Sequence, residues 1–118
     1  MAVTVVVVDD DARFRRAVTM LLRDRGYDVV GEAGGSAEGL AVAAELDPDA
    51  VLLDVNLADG DGVELAGRLC AGGERPRVLL TSSDRDAVPR ELLETCPARG
   101  FVPKPDIAAA DLGRYFGS

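Results

Sequence analysis

The sequence predicts an α/β fold: a doubly wound parallel sheet of five strands with helices on both faces. Three observations predict it. Short runs of valine and leucine at 3–8, 50–53 and 77–80 are too continuously apolar to alternate, so they read as strands buried on both faces. Segments with the spacing of amphipathic helices separate them, as the crossovers between parallel strands require. The central run, Asp49-Ala50-Val51-Leu52-Leu53-Asp54-Val55-Asn56, ends abruptly on a carboxylate, in the crevice beyond the strand ends where open α/β sheets place their ligands.

Taken in order, 3–8 is a β-branched central strand followed at once by Asp9, Asp10 and Asp11. Asp11 suits the N-cap of a helix over 13–25, whose Phe14, Ala17, Val18, Leu21 and Leu22 form one apolar stripe. Capping accounts for one aspartate of the three. Gly26 ends the helix, and 27–32 is a more polar strand suited to the sheet edge. Gly34-Gly35-Ser36 is a turn with Ser36 as cap of an alanine-rich helix that runs to 46 and is broken by Asp47-Pro48. The central strand follows, then a Gly- and Asp-rich loop over 55–62 and a helix over 63–70. The fourth strand, 77–80, ends on Thr81-Ser82-Ser83, and a helix over 87–95 carries Pro89 in its first turn. The fifth strand, 100–102, runs into Pro103-Lys104-Pro105, and Asp106 caps a last helix bearing Ile107, Leu112, Tyr115 and Phe116. Right-handed crossovers then give the flavodoxin-like strand order 2-1-3-4-5.

The 118 residues make one domain, 1–118, with no output domain expected in the chain. A formal charge of −8 argues against direct binding to nucleic acid or to an anionic membrane. The arginines at 13, 15 and 16 are the local exception, and they read as a solvated or protein-docking helix face. The opening apolar run lacks a basic flank and meets three aspartates, so no signal peptide is expected and the location reads as cytoplasmic. Cys70 and Cys96 stand in unrelated contexts and read as buried thiols. Histidine is absent, which excludes His-based triads, imidazole metal ligands and an internal phosphohistidine. Lysine occurs once, at 104, against twelve arginines; because the two cations are not interchangeable, composition alone makes Lys104 a candidate site residue.

In the expected order, the carboxyl edge gathers Asp9 and Asp10 from the first strand, Asp54 from the third, Thr81 from the fourth and Lys104 from the fifth. Converging carboxylates raise their own pKa values or require a cation, and oxygen-only ligands suit Mg²⁺. Carboxylate, Mg²⁺, hydroxyl and ammonium together suit phosphoryl transfer, with Asp54 as nucleophile, Thr81 donating to the transferred group and Lys104 offsetting its charge.

These residues resemble the receiver domains of two-component response regulators, over essentially the whole chain. Val8-Asp9-Asp10 is similar to the family's acidic Mg²⁺ pair, Leu53-Asp54 to its phosphoacceptor, Leu80-Thr81 to its switch hydroxyl and Lys104-Pro105 to its lysine, usually followed by a cis proline. The resemblance further implies a metal contact from the backbone carbonyl of Asn56, an aromatic switch at Phe101 and a helix-opening glycine at Gly62. Ala58 stands where the family usually has proline, Ser82 where it often has alanine and Phe101 where tyrosine is commoner. It implies a phosphoryl group received on Asp54 from a partner histidine kinase or phosphotransfer protein, since this chain has no histidine to donate one. The first helix, with outward arginines such as Arg16, and the loop after the fifth strand would dock the kinase. The face of the fourth helix, fifth strand and fifth helix would exchange partners or form a phosphorylation-dependent homodimer. The domain would be no enzyme beyond its own phosphorylation and dephosphorylation.

Four other readings fit the residues less well. A phosphatase of the haloacid dehalogenase type needs an aspartate two residues after the nucleophile, where this chain has Asn56. An EF-hand would need glycine where Asp59 stands, after a helix and not a strand. An FMN phosphate would be repelled by Asp9-Asp10-Asp11. A phosphorylation-independent interaction module would have no use for the full set of acceptor-site residues.

Overall fold

The structure, a computed structural model, describes residues 2–117. Strand β1 (Thr4–Val8) leads into helix α1 (Ala12–Asp24), then β2 (Asp28–Ala33), α2 (Ser36–Leu46) and β3 (Ala50–Asp54). Two-residue strands β4 (Asn56–Leu57) and β5 (Gly60–Asp61) precede α3 (Gly62–Leu69), β6 (Arg77–Ser82), α4 (Arg90–Thr95) and β7 (Gly100–Pro103). A 3₁₀ helix, Lys104–Ala109, and the short α5 (Gly113–Phe116) complete it. The main sheet is parallel with order β2-β1-β3-β6-β7, which is the expected 2-1-3-4-5.

Alternate residues of the central strands enter opposite cores, which is why their sequences carry no polar face. Val5, Val7, Leu52 and Leu79 pack with Val18 and Leu22 of α1 and with Ile107, Leu112 and Phe116. Val6, Val8, Val51, Leu53 and Leu80 pack with Leu65 and Ala66 of α3 on the other face. Asp11 caps α1, its carboxylate accepting from the amides of Arg13 at 3.0 Å and Phe14 at 3.3 Å. Gly26, at φ +89°, turns the chain out of that helix into β2.

Six local expectations are corrected. The stretch 55–62 is a small antiparallel hairpin, not an open loop, with Asn56 paired to Asp61 and Leu57 to Gly60. Its Asp59 caps α2 in place of Ser36, accepting from the amides of Ser36 at 2.6 Å and Ala37 at 3.2 Å. Helix α4 starts at Arg90, not near 87, because a residue preceding proline is disfavoured in the helical region and that residue is Val88. The segment before it turns on side chains, Ser82 Oγ accepting from the Asp84 amide at 3.1 Å and Asp84 from the Asp86 amide at 2.9 Å. The C-terminal helix is split. Ile107 and Leu112 are both buried, yet five residues on one α-helix would set them about 140° apart; a 3₁₀ turn and an extended Ala110 turn both inward, and Arg25 donates to the carbonyls of Ala108 and Ala110. Asp106 caps nothing and instead pairs through both oxygens with Arg85, at 2.8 and 3.0 Å. Finally, the cis peptide bond is Arg75–Pro76 and not the bond before Pro105.

Candidate functional site

The site lies at the carboxyl edge of β1, β3, β6 and β7. Val8 is paired with Leu53, so the residues that follow, Asp9 and Asp54, emerge side by side. Asp9 is fully buried; its amide donates to the Ala33 carbonyl at 3.0 Å, and its Oδ1 accepts from the Asp11 amide at 2.8 Å. Asp54 is 4% exposed, and its Oδ1 accepts from the Asn56 amide at 3.0 Å. Asp10 is exposed at the mouth. One carboxylate oxygen from each of Asp9, Asp10 and Asp54 falls within 4.8 Å of the others.

Lys104 closes the other side. Its Nζ stands 2.9 Å from Asp9 Oδ2 and 3.4 Å from Asp54 Oδ2, and 4.4 Å above the centre of the Phe14 ring. The Asp9 contact is close but not aligned as a hydrogen bond, and Asp9 Oδ2 is buried without another partner. Burial pushes the Asp54 carboxyl above its ordinary pKa; the Asn56 amide opposes this, the Asp9 charge adds to it and Lys104 opposes it. Burial works against the Lys104 charge, but Asp9 and then Asp54 outweigh it and raise its pKa. Three crowded acids that offer only oxygen donors fit a hard divalent cation such as Mg²⁺.

Thr81 is paired in register with Asp54, but its hydroxyl donates to the Val102 carbonyl at 2.7 Å. Phe101 lies on β7, half-buried against the α3-side core and two residues along the strand from Pro103. Asn56 faces the mouth, its Nδ2 donating to Ser82 Oγ at 3.1 Å. Gly62 has a backbone reason, since a Cβ there would sit 2.3 Å from the Asp54 carbonyl oxygen. The two cysteines are free and half-buried, away from the acids.

The family model for the response regulator receiver domain matches residues 5–112. The chain is a member of that family. This receiver domain is 40% identical over 114 residues to the DNA-binding transcriptional activator DevR/DosR of Mycobacterium tuberculosis, covering 95% of this chain and 52% of that protein. It is 38% identical over 110 residues to a protein-glutamate methylesterase/protein-glutamine glutaminase of Archaeoglobus fulgidus, covering 92% of this chain but 31% of that protein. The chain thus spans about a third to a half of these relatives. Among solved structures, the receiver domain of the response regulator NarL from M. tuberculosis superposes with a TM-score of 0.79 at 35% identity, covering 92% of this chain and 88% of that one.

The receiver domain brings together Asp9, Asp10, Asp54 and Lys104 as the sequence suggested, and places Asn56, Thr81 and Phe101 around them. Sequence reasoning missed two members of the site. Phe14 belongs to the core-facing stripe and also carries the Lys104 ammonium on its ring. Arg15, on the helix face expected to be solvated or to dock a protein, has its guanidinium donating to the Asp9 carbonyl and pairing with Glu32 at 3.4 Å. Neither contact has a local sequence signal. No helix among the described residues is long and apolar enough to cross a membrane.

Proposed function

We propose that this receiver domain accepts a phosphoryl group on Asp54 from a histidine kinase or phosphotransfer protein, with Mg²⁺, and thereby switches a protein-interaction surface in cytoplasmic signal transduction. The observation that carries the reading is the buried Asp54 carboxylate, flanked by two acids on one side and a single ammonium on the other. An Asp54 oxygen bonds to phosphorus as the donor's N–P bond breaks, and the departing imidazole takes a proton from solvent. Mg²⁺ would be held by Asp9, Asp10, Asp54 and the Asn56 carbonyl, and when bound it offsets charge on the phosphoryl oxygens. Asn56 N–H orients one Asp54 oxygen, and Lys104 is within reach of the other. The Thr81 hydroxyl would leave the Val102 carbonyl for a phosphoryl oxygen, releasing the β7 edge where Phe101 sits. The face of α4, β7 and α5 would then change partners or dimerise, and the domain would catalyse only its own phosphorylation and dephosphorylation.

Intact mass after treatment with acetyl phosphate and Mg²⁺ tests this. One phosphoryl adduct is expected on the wild type and none on Asp54→Asn. An adduct that persists in Asp54→Asn overturns the assignment.

A further inference from the structure

A groove of about 420 Å³ opens beside the acceptor site, between the β4–β5 hairpin and the start of α4. Two features of the chain keep it open. Pro89 delays α4 to Arg90, so residues 83–88 form turns and bends and lay no helical turn against the hairpin. The walls are also small: Gly60, Ala87 and Ala58, the last standing where the receiver family usually has proline. Val55 and Leu57, both buried, contribute the floor, and Leu92, a large hydrophobic residue left 40% exposed, lines the groove from the first turn of α4. Asp10 and Asn56 line it too, so the groove is continuous with the mouth over Asp54.

The geometry of phosphoryl transfer decides what such a groove can hold. In-line displacement puts the leaving group on the far side of phosphorus from the attacking Asp54 oxygen, and so outside the mouth. Lys104 and Phe14 take up the side of the mouth towards α1, whereas on the side towards α4 the groove offers apolar surface. Asp10 and Asp61 line it and no Lys or Arg among the described residues does, so a charged substituent on the leaving group is disfavoured there and a neutral apolar body is what fits. We propose that the groove is a leaving-group subsite for a small-molecule phosphodonor, an acyl phosphate whose acyl part is an aryl or branched alkyl group. This rests on the reading of Asp54 as phosphoacceptor and adds the class of donor. An Asp54 oxygen bonds to phosphorus as the donor's acyl O–P bond breaks, and the carboxylate departs with that electron pair while its apolar body lies along Leu57, Ala58 and Leu92. Removing that body from water favours such a donor over one that carries only a methyl group.

The test compares benzoyl phosphate with acetyl phosphate as donors to the full chain with Mg²⁺, at equal ionic strength and subsaturating donor. Adduct formation is followed by intact mass, and each rate is divided by that donor's rate with hydroxylamine in solution, which removes intrinsic reactivity. Benzoyl phosphate should be favoured by roughly tenfold, as partial burial of one aromatic ring implies. Leu92→Gln and Ala58→Leu, both at exposed positions, should leave the acetyl phosphate rate unchanged and abolish the benzoyl advantage, the first by removing apolar surface and the second by filling the groove. Binding without transfer is read by ¹H–¹⁵N NMR: phenylphosphonate should give saturable shifts at the amides of Ala58, Ala87 and Leu92 that methylphosphonate does not. Equal normalised rates for the two donors, or a benzoyl advantage that survives both substitutions, overturn the subsite. Absence of an adduct from either donor contradicts the acceptor reading instead, and the phenylphosphonate shifts then decide the subsite by their presence or absence.

Discussion

Replacing Lys104 by methionine removes the ammonium from between two buried carboxylates while keeping most of the stem on Phe14. With Nζ at 2.9 and 3.4 Å from its partners, Coulomb attraction at an effective dielectric constant of about 20 is roughly 6 and 5 kcal/mol. Desolvation of the three groups offsets most of that sum. Removing one partner of a buried pair costs about 3–5 kcal/mol, and the lower end applies because the Lys104 side chain is 16% exposed. In a domain of this size about 3 kcal/mol corresponds to a fall in Tm of roughly 12 °C at neutral pH. The pH dependence has a definite sign. Lys104 has a raised folded-state pKa, so its contribution is complete below 10.5 and is lost as pH climbs through the folded value. Asp54 is already raised, and without the lysine it rises further, so the folded variant binds more protons than the unfolded chain. The deficit of Lys104→Met should therefore shrink as pH falls towards about 4, where carboxylates protonate. Thermal melts at several pH values measure this, and Mg²⁺ should restore part of the loss at neutral pH by replacing the missing cation. A variant that melts with the wild type at neutral pH, or whose deficit is unchanged on acidification, would refute the electrostatic account of the site.

Gly62→Ala should lower stability by about 1–3 kcal/mol or more, because the added Cβ meets backbone, 2.3 Å from the Asp54 carbonyl oxygen and 2.7 Å from Val55 Cα; a melt unchanged from wild type would show that α3 can shift freely. Asp10→Ala should melt within about 0.5 kcal/mol of wild type, as for other exposed positions, while losing the Mg²⁺-dependent chemical shifts of Asp9 and Asp54. Retained Mg²⁺ shifts would leave Asp10 with no metal role.

Strands β1 and β3 could be read from the chain because burial on both faces leaves a run of Val and Leu no other use. Asp54 and Lys104 were legible for a related reason, each being a charge at the end of such a run. Features that depend on partners distant in sequence were not. Asp59 caps a helix whose first residue is 23 positions away, so the local rule pointed to Ser36. Arg25 takes carbonyls 83 and 85 residues on, which helps to hold open a break that helical periodicity alone bridges. Thr81 was placed correctly at the sheet edge, but the orientation of its hydroxyl depends on the neighbouring strand's Val102 carbonyl, which no pattern along β6 encodes. At α4 the signal is present in the sequence: Pro89 suits a first turn, but its effect on Val88 moves the helix start beyond it.

The central claim is a covalent bond between phosphorus and one Asp54 oxygen, and chemical trapping measures it at residue level. An aspartyl phosphate is an acyl phosphate, which borohydride reduces to the alcohol while leaving a free carboxylate unchanged. After phosphorylation, reduction and peptide mapping, Asp54 should be recovered as homoserine, with Asp9, Asp10 and every other carboxylate intact. Homoserine at any other position, or its absence from a sample that carries a phosphoryl adduct by mass, would contradict the account.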